Sequence, residues 1–339
     1  MKGSLVRTRC LPESGVSPML LSMVNFEYLY RGLCGMAHAP RASSMAGHLG
    51  AAVIAGYFIG EDHPGTDSKV FAAIERDLDR ITGGEESIWF DSKKAGITAE
   101  ALFEPFPKEK GQAERVDSLA DALARNIGKT RQSGHNVIFT SIAIRALMGH
   151  EEFATPALVT GIEKLIASFN GQHPGRGYFG KERGWLNGDK VLPEDLADAL
   201  AYDSLESMAE QVIGTLITTA SQHRRGFGGL FHLINHAAAL LELDAHGYSG
   251  LALQGLAAHR HHHRLYRSLP DLEDELGKLE STSDDPFKPI YWKRNESKQW
   301  GAWLTHRVKT LYGFHTLLRV IEDQTKRDNA LTKFGYLLA

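Results

Sequence analysis

The chain is poor in cysteine, with two in 339 residues, Cys10 and Cys34. Two thiols make no disulfide framework, and such usage fits a reducing compartment. An excess of basic charge is also missing: 38 Lys and Arg stand against 41 Asp and Glu, a net charge of −3. That excludes the electropositive footprint by which nucleic acid is held, so no nucleic-acid partner is expected. Apolar runs of bilayer-spanning length are absent. The best candidate, PMLLSMVNFEYLY from Pro18, is broken by Asn25 and Glu27, so no membrane partner is expected. Pro12 and Glu13 follow Lys2, Arg7 and Arg9, which speaks against a signal peptide, and a cytoplasmic protein is expected. Alternating β-runs bounded by hairpin turns are scarce. G-x-S-x-G and H-E-x-x-H motifs do not occur, and neither cysteine has a recognisable nucleophile context.

What the chain does have is helix-like text and histidine. Hydrophobic residues make up 42% and charged ones 23%, ordinary values for a globular protein able to bury a sizeable core. Sixteen histidines is many for this length. Two segments align as one unit. AGHLGAAVIAGYFIGEDHPGTDSKVFAAIERDLDRITGG begins at Ala46, and SGHNVIFTSIAIRALMGHEEFATPALVTGIEKLIASFNGQ begins at Ser133. Each reads as helix, polar turn, helix. The first helix of each is uncharged (Leu49 to Ile59, Asn136 to Ile144) and therefore buried on nearly all sides. The second is amphipathic. Ile74, Leu78 and Ile81 form one stripe, and Ile162, Leu165, Ile166 and Phe169 another, with Glu75, Arg76, Asp77 and Glu163 on the opposite face. Thr155-Pro156 predicts an N-cap followed by proline at the first helical position.

A looser third unit starts at RRGFGGLFHLINHAAALLEL and a fourth at LTHRVKTLYGFHTLLRVIED. Amphipathic segments over Val116 to Ile127 and Glu194 to Thr219 fill in between. Inner helices alternating with outer ones predict an all-α fold of repeated helical hairpins, closed into an α/α toroid or closed solenoid. The weakly periodic residues 1–40 are expected as a loose lead-in, and 41–339 as a single domain with loop insertions near 104–115, 171–195 and 274–300.

GFGGLFHLINHAAALLEL and GHNVIFTSIAIRAL with its later GIEKLIASF and GYFG resemble the repeat of terpenoid cyclases and protein prenyltransferase β subunits. In those families a glycine–aromatic turn precedes an inner helix and an outer helix leads to the next turn. The resemblance implies an α/α toroid. The DxDD and DDxxD acid motifs of that superfamily do not occur in this chain. The histidine-rich helices also resemble, more faintly, the questin oxidase family, which implies oxygenase chemistry.

GRGYFG at Gly175, Gly177 and Gly180 matches G-x-G-x-x-G. The motif binds phosphate only between a strand and a helix, and an amphipathic helix precedes it here. A lid or mouth loop presenting Tyr178, Phe179 and Trp185 is the expectation. His48 and His135 each begin an inner helix, where the helix dipole disfavours imidazolium and leaves a neutral ring able to act as base, donor or metal ligand. The bland alternative is a histidine packed against a turn. His232 and His236 are one turn apart on one helix face, the spacing of paired metal ligands, although ordinary buried hydrogen bonds would serve as well. His315 shares the aromatic–His helix setting. In HRHHHR, His259 and His263 share a face that is expected to be solvated, with an anion site as the sharper alternative. Glu61, Asp62, Glu85, Glu86, Asp91 and Asp271 to Glu275 are expected as caps and solvated charges.

The expected function is an enzyme with a histidine-lined, mainly apolar central cavity that acts on a small hydrophobic organic molecule. His48, His135 and His315 are the candidate acid–base residues, and His135, His232 and His236 the candidate ligands of a divalent transition metal such as zinc, iron or manganese. A non-catalytic helical-repeat binding protein and a metal-free oxygenase are the alternatives. A homodimer fits the apolar helix faces.

Overall fold

The computed structural model describes residues 23–192, 202–295 and 301–339. Among them the chain is almost wholly helical. In order come α1 (Glu27–His38), α2 (Gly47–Asp62), α3 (Ser68–Thr82), α4 (Ser92–Ala95), α5 (Val116–Ala124), α6 (His135–Gly149) and α7 (Pro156–Ala167). A small hairpin follows, β1 (Arg176–Tyr178) and β2 (Trp185–Asn187), with α8 (Gly180–Arg183) between its strands. Then come α9 (Leu205–Thr219), α10 (Gly229–Ala245), α11 (Ser249–Arg267), α12 (Glu273–Leu276), α13 (Pro289–Arg294), α14 (Trp303–Leu318) and α15 (Gln324–Leu338).

Four helices form the centre. α2 packs against α6 and α14, and α10 packs against the same two. The uncharged text explains why α2 is inside: every residue from Gly47 to Gly60 is buried. The amphipathic helices cover this centre from outside. α1 and α3 lie on α2, α5 and α7 on α6, α9 and α11 on α10, and α15 on α14. Each central helix is followed directly by an outer return helix, so the central four run the same way. Their N-terminal turns gather at one end, and their C-terminal ends at the other.

The C-terminal end is clasped by charge. The Arg145 guanidinium on α6 donates to Asp62 at the end of α2 (2.7 and 3.1 Å), to Glu242 of α10 (3.4 Å) and to the Tyr312 hydroxyl of α14 (3.2 Å). Arg319 adds a second cation on Asp62 at 2.6 Å. Burial alone would raise the Asp62 carboxyl, but Arg145 and Arg319 outweigh it and hold it below its ordinary range.

Several expectations change. The loose lead-in does not extend to residue 40, because Leu29, Leu33 and Met36 of α1 are fully buried against the core; residues 1–22 lie outside the described set. The amphipathic stretch expected from Glu194 begins as a described helix at Leu205, and 193–201 lie outside the described residues. Asp77 does not face solvent. It is buried in an ion pair with Arg307 of α14, whose guanidinium also lies over the rings of Trp292 (4.8 Å) and Trp303 (5.4 Å). Thr155 occupies the N-cap with Pro156 after it, but its hydroxyl caps nothing. Glu109 takes that role from the loop before α5, accepting the Ala157 N–H at 3.0 Å.

The glycine-rich segment is a buttress instead of a lid. Phe179 is buried, and Tyr178 is tied to Glu275 at 2.6 Å; of the three expected aromatics only Trp185 is exposed. Gly177 lies against Phe227 and Gly226 so closely that a Cβ would come within 2.3 Å of the Phe227 ring. His173 and Pro174 accept the backbone N–H groups of Gln132 and Ser133 at 2.9 and 2.7 Å. The segment thus supports the two turns that launch α6 and α10.

Candidate metal centre

The first turn of each central helix carries a histidine: His48 on α2, His135 on α6, His232 on α10 and His306 on α14. Because the helices are parallel, the four imidazoles meet. One ligand atom each from His48, His135 and His232 lies within 4.8 Å of the others. His48 Nε2 faces His135 Nε2 at 2.5 Å, and His232 Nε2 faces His306 Nε2 at 2.8 Å. The His48 ring centroid lies 5.1 Å from that of His306 and 5.5 Å from that of His232. The first three histidines are buried and His306 is half-buried.

Backbone carbonyls set two of the tautomers. His135 Nδ1 donates to the Gln132 carbonyl, and His306 Nδ1 donates to that of Ala302 at 2.9 Å. Each proton therefore sits on Nδ1, leaving the Nε2 lone pair turned into the cluster, the arrangement by which second-shell carbonyls orient metal-binding histidines. Gln132 and Ser133 hold left-handed backbone, φ 42° and 60°, to aim that carbonyl. Gly134 follows at φ 86°, and a Cβ there would meet the His236 ring at 2.5 Å. Non-glycine residues in this region carry strain of order 1–3 kcal/mol, repaid only where neighbours fix the conformation.

Lys309, one turn beyond His306 on α14, reaches the His48 Nδ1 atom from inside the bundle. Its amine is buried, and burial pushes its pKa down to about 7, opposed by the Glu86 carboxylate. Burial, then Lys309 and the neighbouring imidazoles, drive His48 well below its ordinary value. Burial brings His135 to about 3, with Lys309 adding to the effect. His232 and His306 move the same way, from burial first. All four rings are therefore neutral at physiological pH, the form that binds metal.

Glu86 is a correction to the expectation of a solvated charge. It is buried and accepts the Thr305 N–H in the first turn of α14 at 3.2 Å and the Trp89 indole N–H at 3.0 Å. The Trp89 ring stacks on the His48 imidazole at 3.7 Å and 10°. One carboxylate thus joins the start of α14 to the ring that covers His48.

Of the expected residues, His48, His135 and His232 come together. His236 lies one turn deeper on α10, with its Nδ1 3.2 Å from His262 Nδ1. His315 is near the other end of α14, packed against His63 and Phe287. His306 replaces both in the cluster. HRHHHR also departs from its expected solvated face, since His259, His262 and His263 are fully buried. They bond to the Tyr202 hydroxyl (2.6 Å), the Phe227 carbonyl (2.8 Å) and the Thr215 hydroxyl (2.7 Å). A neutral imidazole so partnered can be buried at reduced cost, although the Nδ1 atom of His263 is buried without a partner among the described residues.

Beside Lys309 lies a space of about 20 Å³ lined by Ala51, Ile142, Asn235, Ala238 and Gly313, among others. That is room for about one water and not for the organic molecule expected in a central cavity. The half-buried side of the cluster is aromatic: the rings of Phe231 and Trp89 stand 5.5 and 5.6 Å from that of His306. No family model, curated protein or solved structure matches the chain. Among the described residues no helix is long and apolar enough to cross a membrane.

Proposed function

We propose that this chain is an enzyme built on a mononuclear transition-metal centre with His48, His135, His232 and His306 as ligands. The observation that carries this reading is the convergence of four neutral imidazoles from four helices, three buried and one half-buried, two of them with Nε2 left free by carbonyls that hold Nδ1. An all-imidazole donor set suits zinc or iron better than manganese, which prefers oxygen ligands. A metal held there would act as a Lewis acid at whatever coordination position the four imidazoles leave open. The chain's own residues supply the rest. Trp89 and Phe231 make the half-buried approach aromatic, which favours a small hydrophobic organic substrate. Lys309, with an amine pushed down to about 7, can hold or release a proton near neutral pH. The closed neighbour pattern of α2, α6, α10 and α14 supports an α/α toroid with the site at the mouth formed by the N-terminal turns.

One contact favours a metal-free reading. At 2.5 Å, His48 Nε2–H can donate to His135 Nε2, giving a chain from Lys309 through both rings to the Gln132 carbonyl. That chain would serve acid–base chemistry without a metal. Calorimetric titration of chelator-treated protein with zinc and with ferrous iron separates the two. The metal reading expects one site per chain, lost in His48→Ala and His306→Ala but kept in His315→Ala. Absence of saturable binding in the parent protein would leave the metal-free chain.

A further inference from the structure

A cavity of about 580 Å³ lies between the segment 281–287 and the helices α14 and α15. Its volume falls within the range of small-molecule sites, roughly 300–1,000 Å³. His315 lines it, nine residues along α14 from His306 and so roughly 13 Å from the metal centre at 1.5 Å per residue. The cavity is therefore a separate site.

Its lining has a definite chemistry. Phe287, Leu331, Phe334 and Leu338 give an apolar floor, with Phe334 held flat on Phe314 at 3.9 Å. Among the described residues the charged side chains of the lining are Asp284 and Asp285, and no Lys or Arg lines it. Asp284 is neutralised by Arg294, which donates to both its oxygens at 2.7 and 2.8 Å. Asp285 pairs with no cation among the described residues; one of its oxygens accepts the Phe287 N–H at 2.8 Å. The His315 ring packs edge-on to Phe287 at 4.8 Å, and its nitrogens have no hydrogen-bond partner among the described residues. Burial brings its pKa to about 3, so it is a neutral acceptor or donor. The two arginines near His315 are engaged elsewhere, Arg319 by Asp62 at 2.6 Å and Arg327 by the Leu318 and Ile321 carbonyls.

We propose that this cavity binds a small aromatic amine in its ammonium form, with the ring on Phe287 and Phe334 and the charge on Asp285. Asp285 is exposed, but a carboxylate with no counter-charge among the described residues still favours a cation, and the faces of the two phenyl rings favour the same charge. His315 takes the second hydrogen bond.

Tryptamine is the probe, and tryptophol, its neutral alcohol analogue, is the control. Calorimetry should find one tryptamine per chain, bound at least ten-fold more tightly than tryptophol. Asp285→Asn keeps an oxygen for the Phe287 N–H and should bring tryptamine to the affinity of tryptophol, with tryptophol unchanged. Leu331→Trp fills the cavity and should abolish both. The same affinities are expected in metal-free protein and in His232→Ala, which separates this test from that of the metal centre. Equal binding of the two probes, no change in Asp285→Asn, retention in Leu331→Trp, or no saturable tryptamine binding would each overturn the proposal.

Discussion

Lowering the pH should unfold this protein through its buried histidines, by an amount that His259 and His262 alone make measurable. Both are fully buried. Burial holds His259 at about 3 and His262 at about 4. In the unfolded chain each returns to about 6.5. The folded value is the depressed one, so the stabilisation is complete above about pH 6.5 and is lost as pH falls below it. At pH 5 the unfolded chain has taken up both protons while the folded chain has taken up almost none, a loss of about 2 kcal/mol per ring and about 4 kcal/mol for the pair. Against a total stability of roughly 5–15 kcal/mol, that is a large fraction. His236 and His263 are displaced in the same direction by burial and add to the loss. The assay is urea unfolding of chelator-treated protein between pH 7.5 and 5, with the imidazole resonances followed by NMR. The midpoint should fall steeply below pH 6.5 while those rings stay neutral in the folded state. Stability unchanged within about 1 kcal/mol, with His259 and His262 titrating near 6.5, would show that burial does not hold these rings neutral.

Other perturbations have equally definite outcomes. Arg145→Met leaves Asp62 and Glu242 with Arg319 as the one remaining guanidinium near both, at 2.6 and 3.9 Å, and should cost about 1–3 kcal/mol, read as a lower urea midpoint. Gly134→Ala should cost about 1–3 kcal/mol, because a Cβ must displace the His236 ring and the backbone is left-handed; it should also weaken metal binding, since the turn aims the Gln132 carbonyl at His135. Glu86→Gln removes the charge that raises Lys309, so the Lys309 amine should titrate below its present value of about 7, as followed by nitrogen-detected NMR of the ζ position.

The sequence was legible where one physical signal acted alone. Uncharged runs marked α2, α6 and α10 as central, and His48, His135 and His232 each sat at the head of such a run. α14 stood out only as a loose fourth unit without an uncharged run, because it buries two cations, Arg307 and Lys309, whose partners Asp77 and His48 lie more than 200 residues away in the chain. That drew attention to His315 in the apolar half of the helix and away from His306 at its start. The shared signal was position: every histidine of the cluster falls in the first turn of its helix. HRHHHR read as polar because charge and hydrogen-bonding capacity look alike in sequence. The partners that permit its burial, Tyr202, Thr215 and the Phe227 carbonyl, come from distant elements. Glu86 looked like a loop charge for the same reason, its partner Thr305 lying 219 residues on.

The most direct measurement is elemental analysis of untagged protein purified without nickel and without chelator. About one equivalent of zinc or iron per chain is expected, lost in His232→Ala and His306→Ala and kept in His236→Ala and His315→Ala. Protein with no bound metal, and no uptake when zinc or ferrous iron is supplied, would contradict the proposed metal centre.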